Sequence, residues 1–203
     1  MNQLKYLKSY ARKNIKENDP AHDFNHIMRV YYNAEKICKS EKVNKKLVLS
    51  SVLLHDIIKS SKTKNSALKS AQLAKKILKK INYSENEIGI IYDAIRFHSF
   101  SNGKTPSSLE GKVLQDSDRL DALGAIGLAR VFSYSGTNQR LFYDSTDPFS
   151  KNRKLNDKKW ALDHFYQKLL LLEDKMHTKT GKELAKKRTR ILKKFLKDLK
   201  NEI

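Results

Sequence analysis

Apolar residues recur at spacings of three and four along most of this sequence, which is the pattern of amphipathic helices. The pattern predicts helices over about 2–18, 24–40, 45–58, 67–80, 85–98, 109–132, 157–176 and 182–201. Residues 136–154 are polar and rich in turn formers, so we expect an ordered loop or lid there. Because only three prolines and seven glycines interrupt the chain, the pattern favours an all-α fold.

The third predicted helix, about 45–58, is apolar nearly all round, which is typical of a segment buried at the centre of a helical bundle. Its end carries a histidine and a carboxylate side by side, His55 and Asp56. Burying both side chains without partners would cost several kcal/mol. We therefore expect them to share a cation or a close hydrogen-bonded network.

Two further helices supply side chains of the same chemistry, His26 on the second and Asp118 on the sixth. Two imidazoles with two carboxylates form a mixed nitrogen and oxygen set, unlike the cysteine-rich sites of structural zinc. Such a set leaves coordination positions for water and a substrate oxygen, as hydrolysis requires. Asp116 and Asp121 are close by, and Asp121 shares a helix face with Asp118, so the residues alone leave the fourth ligand open.

A helical di-iron carboxylate protein is a competing interpretation of these acidic and histidine residues. Such proteins carry Glu-x-x-His motifs on paired helices. The sequence contains no Glu-x-x-His, so this interpretation fails its own test.

The formal net charge of +20 raises the question of a nucleic-acid partner. Only nine of the 42 basic residues are arginines, although arginine is preferred for bidentate phosphate and base-edge contacts. We therefore interpret the charge mainly as a solvated lysine surface and keep nucleic acid as a less favoured partner.

Length, cysteine content and the lack of long apolar runs bear on domain organisation and cellular compartment. The 203 residues fit one domain, 1–203, with a metal-site core at about 20–130 and C-terminal helices at about 155–203. The single Cys38 cannot form an internal disulfide. We see no signal peptide and no membrane-spanning run, so we expect a cytoplasmic protein without a membrane partner.

Several segments match a known family. They read AHDFNHIMRV at 21–30, LLHDI at 53–57, IRFHSFS at 95–101, LQDSDRLDALG at 114–124, HFYQKLL at 164–170 and TKTGK at 178–182. The sequence resembles the HD superfamily of metal-dependent phosphohydrolases, and within it the small bacterial YedJ/YpgQ-type proteins. Because the resemblance covers almost the whole chain, it implies a single-domain HD-type helical bundle.

The resemblance also implies a metal site. The family's ligands correspond here to His26, His55, Asp56 and Asp118, since Ser117-Asp118-Arg119-Leu120 looks like the segment that supplies the last ligand. It implies a divalent cofactor, with manganese favoured and magnesium, iron, cobalt and nickel as alternatives. Where many members read His-Asp-Ile-Gly-Lys, this chain has Ile58 in place of glycine and keeps Lys59.

Supporting roles follow as hypotheses. Lys59 would neutralise phosphate charge and Asp121 would orient or deprotonate water, while His22, Arg29 and His98 would contact substrate. The resemblance favours an enzyme, a (d)NTP pyrophosphohydrolase that yields a monophosphate and pyrophosphate. The alternatives are a nucleoside monophosphate phosphatase and a non-enzymatic nucleic-acid-binding protein. We expect a monomer or a homodimer.

Overall fold

Helices dominate the protein, whose computed structural model describes residues 2–15, 23–58, 65–100 and 103–203. The α-helices in these ranges are α1 Gln3–Asn14, α2 Phe24–Cys38, α3 Lys45–Leu54, α4 Ser66–Lys80, α5 Glu85–Phe97, α6 Leu109–Asp121, α7 Gly124–Thr137, α8 Ala161–Gln167 and α9 Lys179–Glu202. Within the same ranges there is no β-strand, only an isolated bridge between Leu141 and Trp160. The prediction of an all-α fold is confirmed.

Contacts between residues group the chain into two compact units, 1–118 and 119–203. Helix α6 runs from the first unit into the second, with its last three residues in the second. The organisation as one domain stays a prediction. Within the described ranges, no helix combines the length and the apolar character needed to cross a bilayer.

Helix α3 lies at the centre of the first unit. Every residue from Leu47 to Leu54 is buried, and α3 contacts α1, α2, α4 and α5. This agrees with the apolar character that the sequence shows on all sides of the helix. The helix ends at Leu54 rather than at about 58, so that His55 becomes its C-cap.

Side-chain caps set several of the helix starts in this unit. Asp23 caps α2 by accepting a hydrogen bond from the backbone N–H of His26 at 2.7 Å. Ser84 and Glu87 form a capping box at the start of α5, which their spacing in the sequence indicates. The sequence also offers Asp19 as a cap for α2, but Asp19 lies outside the described residues.

The single helix predicted over about 109–132 is wrong, because the chain breaks at 122–123 and forms α6 and α7. Gly124 begins α7 with a φ of +72°, in the left-handed region that favours glycine. At Gly127 an added Cβ would stand 2.2 Å from the carbonyl oxygen of Ala122. These glycines therefore permit the break.

The second unit also differs from its predicted helices. In place of one helix over about 157–176, α8 is followed by 3₁₀ turns at Leu169–Leu171 and Glu173–Lys175. Helix α9 packs on α7, and three aromatic rings, Phe132, Phe165 and Phe195, fill the space beside them with centroids 5.7 to 6.1 Å apart. Residues 138–154 contain no helix, in agreement with the loop predicted over 136–154, although α7 extends to Thr137.

Candidate metal centre

Five polar side chains of the first unit, all at or near the ends of helices, come together. His26 stands in the first turn of α2, where the Asp23 cap fixes the backbone. His55 and His98 are the C-caps of α3 and α5, Asp56 follows His55, and Asp118 lies near the end of α6. We call His26, His55, Asp56, His98 and Asp118 the His/Asp cluster.

His55 and His98 are oriented in the same way. The Nδ1 atom of each ring lies beside the carbonyl oxygen three residues earlier, at 2.8 Å from Val52 and 2.7 Å from Ile95. Because a carbonyl oxygen only accepts, we assign the ring proton to Nδ1 in both residues. Each Nε2 then directs a lone pair toward the interior of the His/Asp cluster, and the rings meet edge to face with centroids 4.9 Å apart.

The carboxylate oxygens complete the arrangement. Asp118 Oδ1 lies 3.5 Å from His26 Nε2 and 3.9 Å from His55 Nε2. Asp56 Oδ2 lies 3.9 Å and 3.8 Å from the same two nitrogen atoms, while Asp56 Oδ1 lies 3.4 Å from His98 Nε2. Asp56 thus stands between His98 on one side and the pair of His26 and His55 on the other.

These separations fit the ligands of one metal ion better than direct hydrogen bonds. Atoms at about 2.1 Å from a common ion stand about 3.0 Å apart at octahedral angles and about 3.4 Å apart at tetrahedral angles. The distances among His26, His55, Asp56 Oδ2 and Asp118 Oδ1, 3.5 to 3.9 Å, need only a small contraction to reach that range. The His/Asp cluster can therefore hold a divalent cation.

The protonation of His55 suits the same role. Its Nε2 is buried and has no hydrogen-bond partner among the described residues. Burial lowers the pKa of His55 from 6.5 to about 4, and the neighbouring carboxylates oppose this shift only in part. The imidazole is consequently neutral near pH 7, which is the form that binds metals.

Asp118 differs from the other members in its exposure. Its side chain is 26% exposed, whereas those of His26, His55, Asp56 and His98 are at most 4% exposed. Burial alone would raise the pKa of Asp118, but the histidines around it lower the pKa below its usual value. Asp118 is therefore an anion near pH 7 on the side of the His/Asp cluster that solvent can reach.

Two buried amides, which the sequence analysis missed, connect the helices that carry the His/Asp cluster. Asn33 on α2 donates to the carbonyl oxygen of Ser117 at 3.1 Å, immediately before Asp118. Gln115 donates to the carbonyl oxygens of Phe97 and Lys104 at 2.9 and 3.0 Å, and Phe97 directly precedes His98. One of these amides could have been found from the sequence, because Asn33 lies seven residues after His26 and therefore on the same face of α2.

The remaining candidate residues have different surroundings. His98, expected to contact substrate, lies within the His/Asp cluster, where it can also hold Asp56 or bind an ion. Arg29 is half-buried on α2, three residues after His26. His22 and Lys59 lie outside the described residues.

The two alternative aspartates are not part of the His/Asp cluster as the structure describes it. Asp116 is buried in α6 and belongs to neither group of metal-ligating side chains found among the described residues. Asp121 is in the second unit, and its Oδ2 accepts a hydrogen bond from Arg130 Nη1 at 2.6 Å. The geometry favours Asp118 over both as the fourth ligand.

Comparison with known proteins identifies the family of this chain. The model of the HD domain matches residues 23–123. YpgQ of Bacillus subtilis (strain 168), described as uncharacterized, is 30% identical over 206 residues, which cover 100% of this chain and 95% of YpgQ. The crystal structure of Bacillus subtilis YpgQ in complex with ADP matches with a TM-score of 0.78 and 29% identity, covering 99% of this chain and 95% of that one.

Two other solved structures are similar over the same length. A Lactobacillus plantarum protein has a TM-score of 0.82 and 33% identity, with 98% of this chain and 96% of that chain covered. An HD-superfamily hydrolase from Bacillus thuringiensis has a TM-score of 0.77 and 31% identity, with the same coverage. The chain belongs to the HD-domain family and is a metal-dependent phosphohydrolase, as the sequence motifs implied.

Proposed function

We propose that His26, His55, Asp56 and Asp118 bind a divalent cation and that the protein hydrolyses (d)NTPs to a nucleoside monophosphate and pyrophosphate. The arrangement of the His/Asp cluster carries this proposal. A neutral imidazole lone pair of His55 faces the carboxylates of Asp56 and Asp118 at 3.8 and 3.9 Å, beyond hydrogen-bond distance. Two imidazoles and two carboxylates at these separations are suited to manganese and to other divalent ions that accept nitrogen and oxygen ligands.

In the proposed reaction, water attacks the α-phosphorus, and the bond from that phosphorus to the oxygen shared with the β-phosphate breaks. His26, His55, Asp56 and Asp118 would hold a divalent cation, whose charge would polarise a phosphoryl oxygen and lower the pKa of water at the site. Arg29 and Lys59 would neutralise charge on the phosphate chain, and Asp121 would orient the water or take its proton.

Two observations support a nucleotide substrate. The similar protein YpgQ was crystallised in complex with ADP. The net charge of +20 would also attract a polyanionic substrate. Manganese is the metal we favour, and a monomeric or dimeric state stays a prediction.

A panel assay tests this function. Metal-stripped protein is supplied with Mn²⁺, Mg²⁺, Co²⁺, Ni²⁺ or Zn²⁺ and with dNTPs, NTPs and nucleoside monophosphates, and the products are separated. We expect equal amounts of monophosphate and pyrophosphate from triphosphates. Orthophosphate from monophosphates alone would replace this proposal with a phosphatase, and absence of metal-dependent turnover would contradict it.

Matched histidine variants make the assay specific. His55→Ala removes a proposed ligand, whereas His164→Ala removes a histidine of the second unit that pairs with Asp157. Only His55→Ala should lose metal-dependent release of pyrophosphate. Equal losses in both variants would show that the effect does not come from the His/Asp cluster.

A further inference from the structure

Helix α9 carries a continuous row of cations on its exposed side. The members recur at spacings of three and four residues, so they lie within about 80° of arc on the helix surface. They are Lys182, Lys186, Arg190, Lys193, Lys197 and Lys200, all of them exposed. We call this row the α9 stripe; at a rise of 1.5 Å per residue it is about 27 Å long.

The members of the α9 stripe have no ion-pair partners within the described part of the chain. Elsewhere, exposed lysines do pair, as Lys45 does with Glu35 and Lys79 with Glu85. On α9 itself the ion pair joins Lys194 to Asp198, and neither residue belongs to the stripe. The other acidic residues of the helix, Glu183 and Glu202, also lie outside it. The stripe is therefore an uncompensated positive surface.

We propose that the α9 stripe binds the phosphate backbone of nucleic acid, in addition to the nucleotide chemistry of the His/Asp cluster. A duplex presents one negative charge per about 1.7 Å of its axis, so a row of cations about 27 Å long faces many phosphates at once. The stripe contains a single arginine, Arg190. Because arginine dominates base-edge contacts, this composition indicates binding to the backbone without sequence preference.

An acidic membrane is the competing occupant, and the surroundings of the α9 stripe disfavour it. Helices that lie in a membrane surface combine a basic face with an apolar face that enters the lipid. The large apolar side chain exposed along α9 is Ile191, which lies about 140° around the helix from the middle of the stripe. Nothing on α9 beside the stripe is thus suited to insertion into lipid.

Two triple variants with equal charge test the proposal. Lys186→Gln, Lys193→Gln and Lys197→Gln remove three charges from the α9 stripe. Lys69→Gln, Lys76→Gln and Lys80→Gln remove three exposed lysines from α4, which likewise have no ion pair in the described part of the chain. Both sets replace lysine by a residue of similar helix propensity, and circular dichroism checks that both proteins fold.

Fluorescence anisotropy then measures binding to a labelled DNA duplex of about 20 base pairs, with EDTA present, between about 50 and about 200 mM salt. We expect the α9 triple variant to bind at least about tenfold more weakly, with a salt slope shallower by about three units. The α4 variant should stay within about twofold of the parent.

Three outcomes would overturn the proposal. The first is an equal loss in the α4 variant, which would show that only total charge matters. The second is absence of duplex binding by the parent protein. The third is binding of the parent to vesicles containing acidic phospholipid but not to the duplex. Because the assay contains no substrate and no metal, it is independent of the proposed hydrolysis.

Discussion

Each unit contains a group of acidic, basic or histidine side chains that is at least partly buried, and the two groups differ in how closely their nitrogen and carboxylate atoms approach. In the second unit, Arg153 and Asp163 form two hydrogen bonds, at 2.6 and 2.8 Å. Asp163 also accepts from the backbone N–H of Asn156 at 2.6 Å, and His164 Nδ1 lies 2.8 Å from Asp157. We call Arg153, Asp157, Asp163 and His164 the Arg153 network.

In the first unit, the nitrogen and carboxylate atoms of the His/Asp cluster stand farther apart, at 3.4 to 3.9 Å. Buried polar groups are normally hydrogen-bonded, so each arrangement has its own explanation. In the Arg153 network the partners satisfy each other and order the loop around Asp147, whose carbonyl accepts from Arg153 at 3.1 Å. In the His/Asp cluster the separations fit the ligands of one metal ion.

The largest expected effect comes from removing one charge from the His/Asp cluster. Asp56→Asn keeps the volume of the side chain but removes a proposed ligand. We expect metal-dependent turnover to fall by about 10³-fold or more, because metal catalysis supplies several kcal/mol. The metal-free protein should keep its stability within about 1 kcal/mol, since the change also relieves repulsion between Asp56 and Asp118. Steady-state kinetics and urea denaturation measure both, and retained turnover would contradict the ligand role.

The same kind of change in the Arg153 network should act on stability instead. Arg153→Ala leaves Asp163, which is 1% exposed, as a buried charge without its main partner. We expect the free energy of unfolding to fall by about 3 kcal/mol, with metal affinity unchanged in the folded protein. Lys154→Ala, at an exposed neighbour, is the control and should change stability by less than about 0.5 kcal/mol. Similar stability in both variants would refute a structural role for the network.

A smaller effect should show whether Asn33 positions the His/Asp cluster or contributes only to the stability of the unit. Asn33→Leu removes the hydrogen bond to the carbonyl oxygen of Ser117 and should lower metal affinity about tenfold. Tyr83→Phe removes a buried hydrogen bond of the same unit, 2.7 Å to Ser50 Oγ, that lies outside the His/Asp cluster. Each variant should lose about 1 kcal/mol of stability, but only Asn33→Leu should change the metal titration. An equal change in metal affinity would count against a positioning role for Asn33.

The smallest effect concerns pH and His164. Burial lowers the pKa of His164 below 6.5, while the hydrogen bond to Asp157 opposes the shift. The unfolded chain therefore binds a proton that the folded chain excludes. The free energy of unfolding is fully present above about pH 6.5, the unfolded pKa, and part of it is lost as pH falls from there through the folded pKa.

Asp157→Asn should lower the pKa of His164 further, as NMR titration would show. The stability lost between about pH 7.5 and about pH 5.5 should grow by less than about 1 kcal/mol. A higher pKa in the variant would contradict this account.

The sequence was sufficient for features that depend on nearby residues. The buried helix around Val48, the capping box at Ser84 and the HD-family motifs were all evident from local patterns. The break before Gly124 was not predicted, because a glycine within an apolar helical pattern does not reveal whether its φ is positive. The bond from Asn33 to Ser117 joins residues 84 positions apart, and only packing of α2 against α6 creates it.

The membership of His98 in the His/Asp cluster also depended on packing. The sequence places His98 at the end of a helix, but its partner Asp56 follows a different helix, and their atoms meet at 3.4 Å only in the folded unit. The equal orientation of His55 and His98 has a local cause, since each ring binds the carbonyl oxygen three residues earlier. That relation could be recognised in other sequences where a histidine follows a buried helix.

The most direct test of the metal centre is a crystal structure of the protein soaked with Mn²⁺, with anomalous data collected at the manganese edge. Our account predicts an anomalous peak about 2.0 to 2.3 Å from His26 Nε2, His55 Nε2, Asp56 Oδ2 and Asp118 Oδ1. A crystal of Asp56→Asn treated in the same way should show a weaker peak or none. A manganese peak away from these four atoms, or none in the parent protein, would contradict the proposed site.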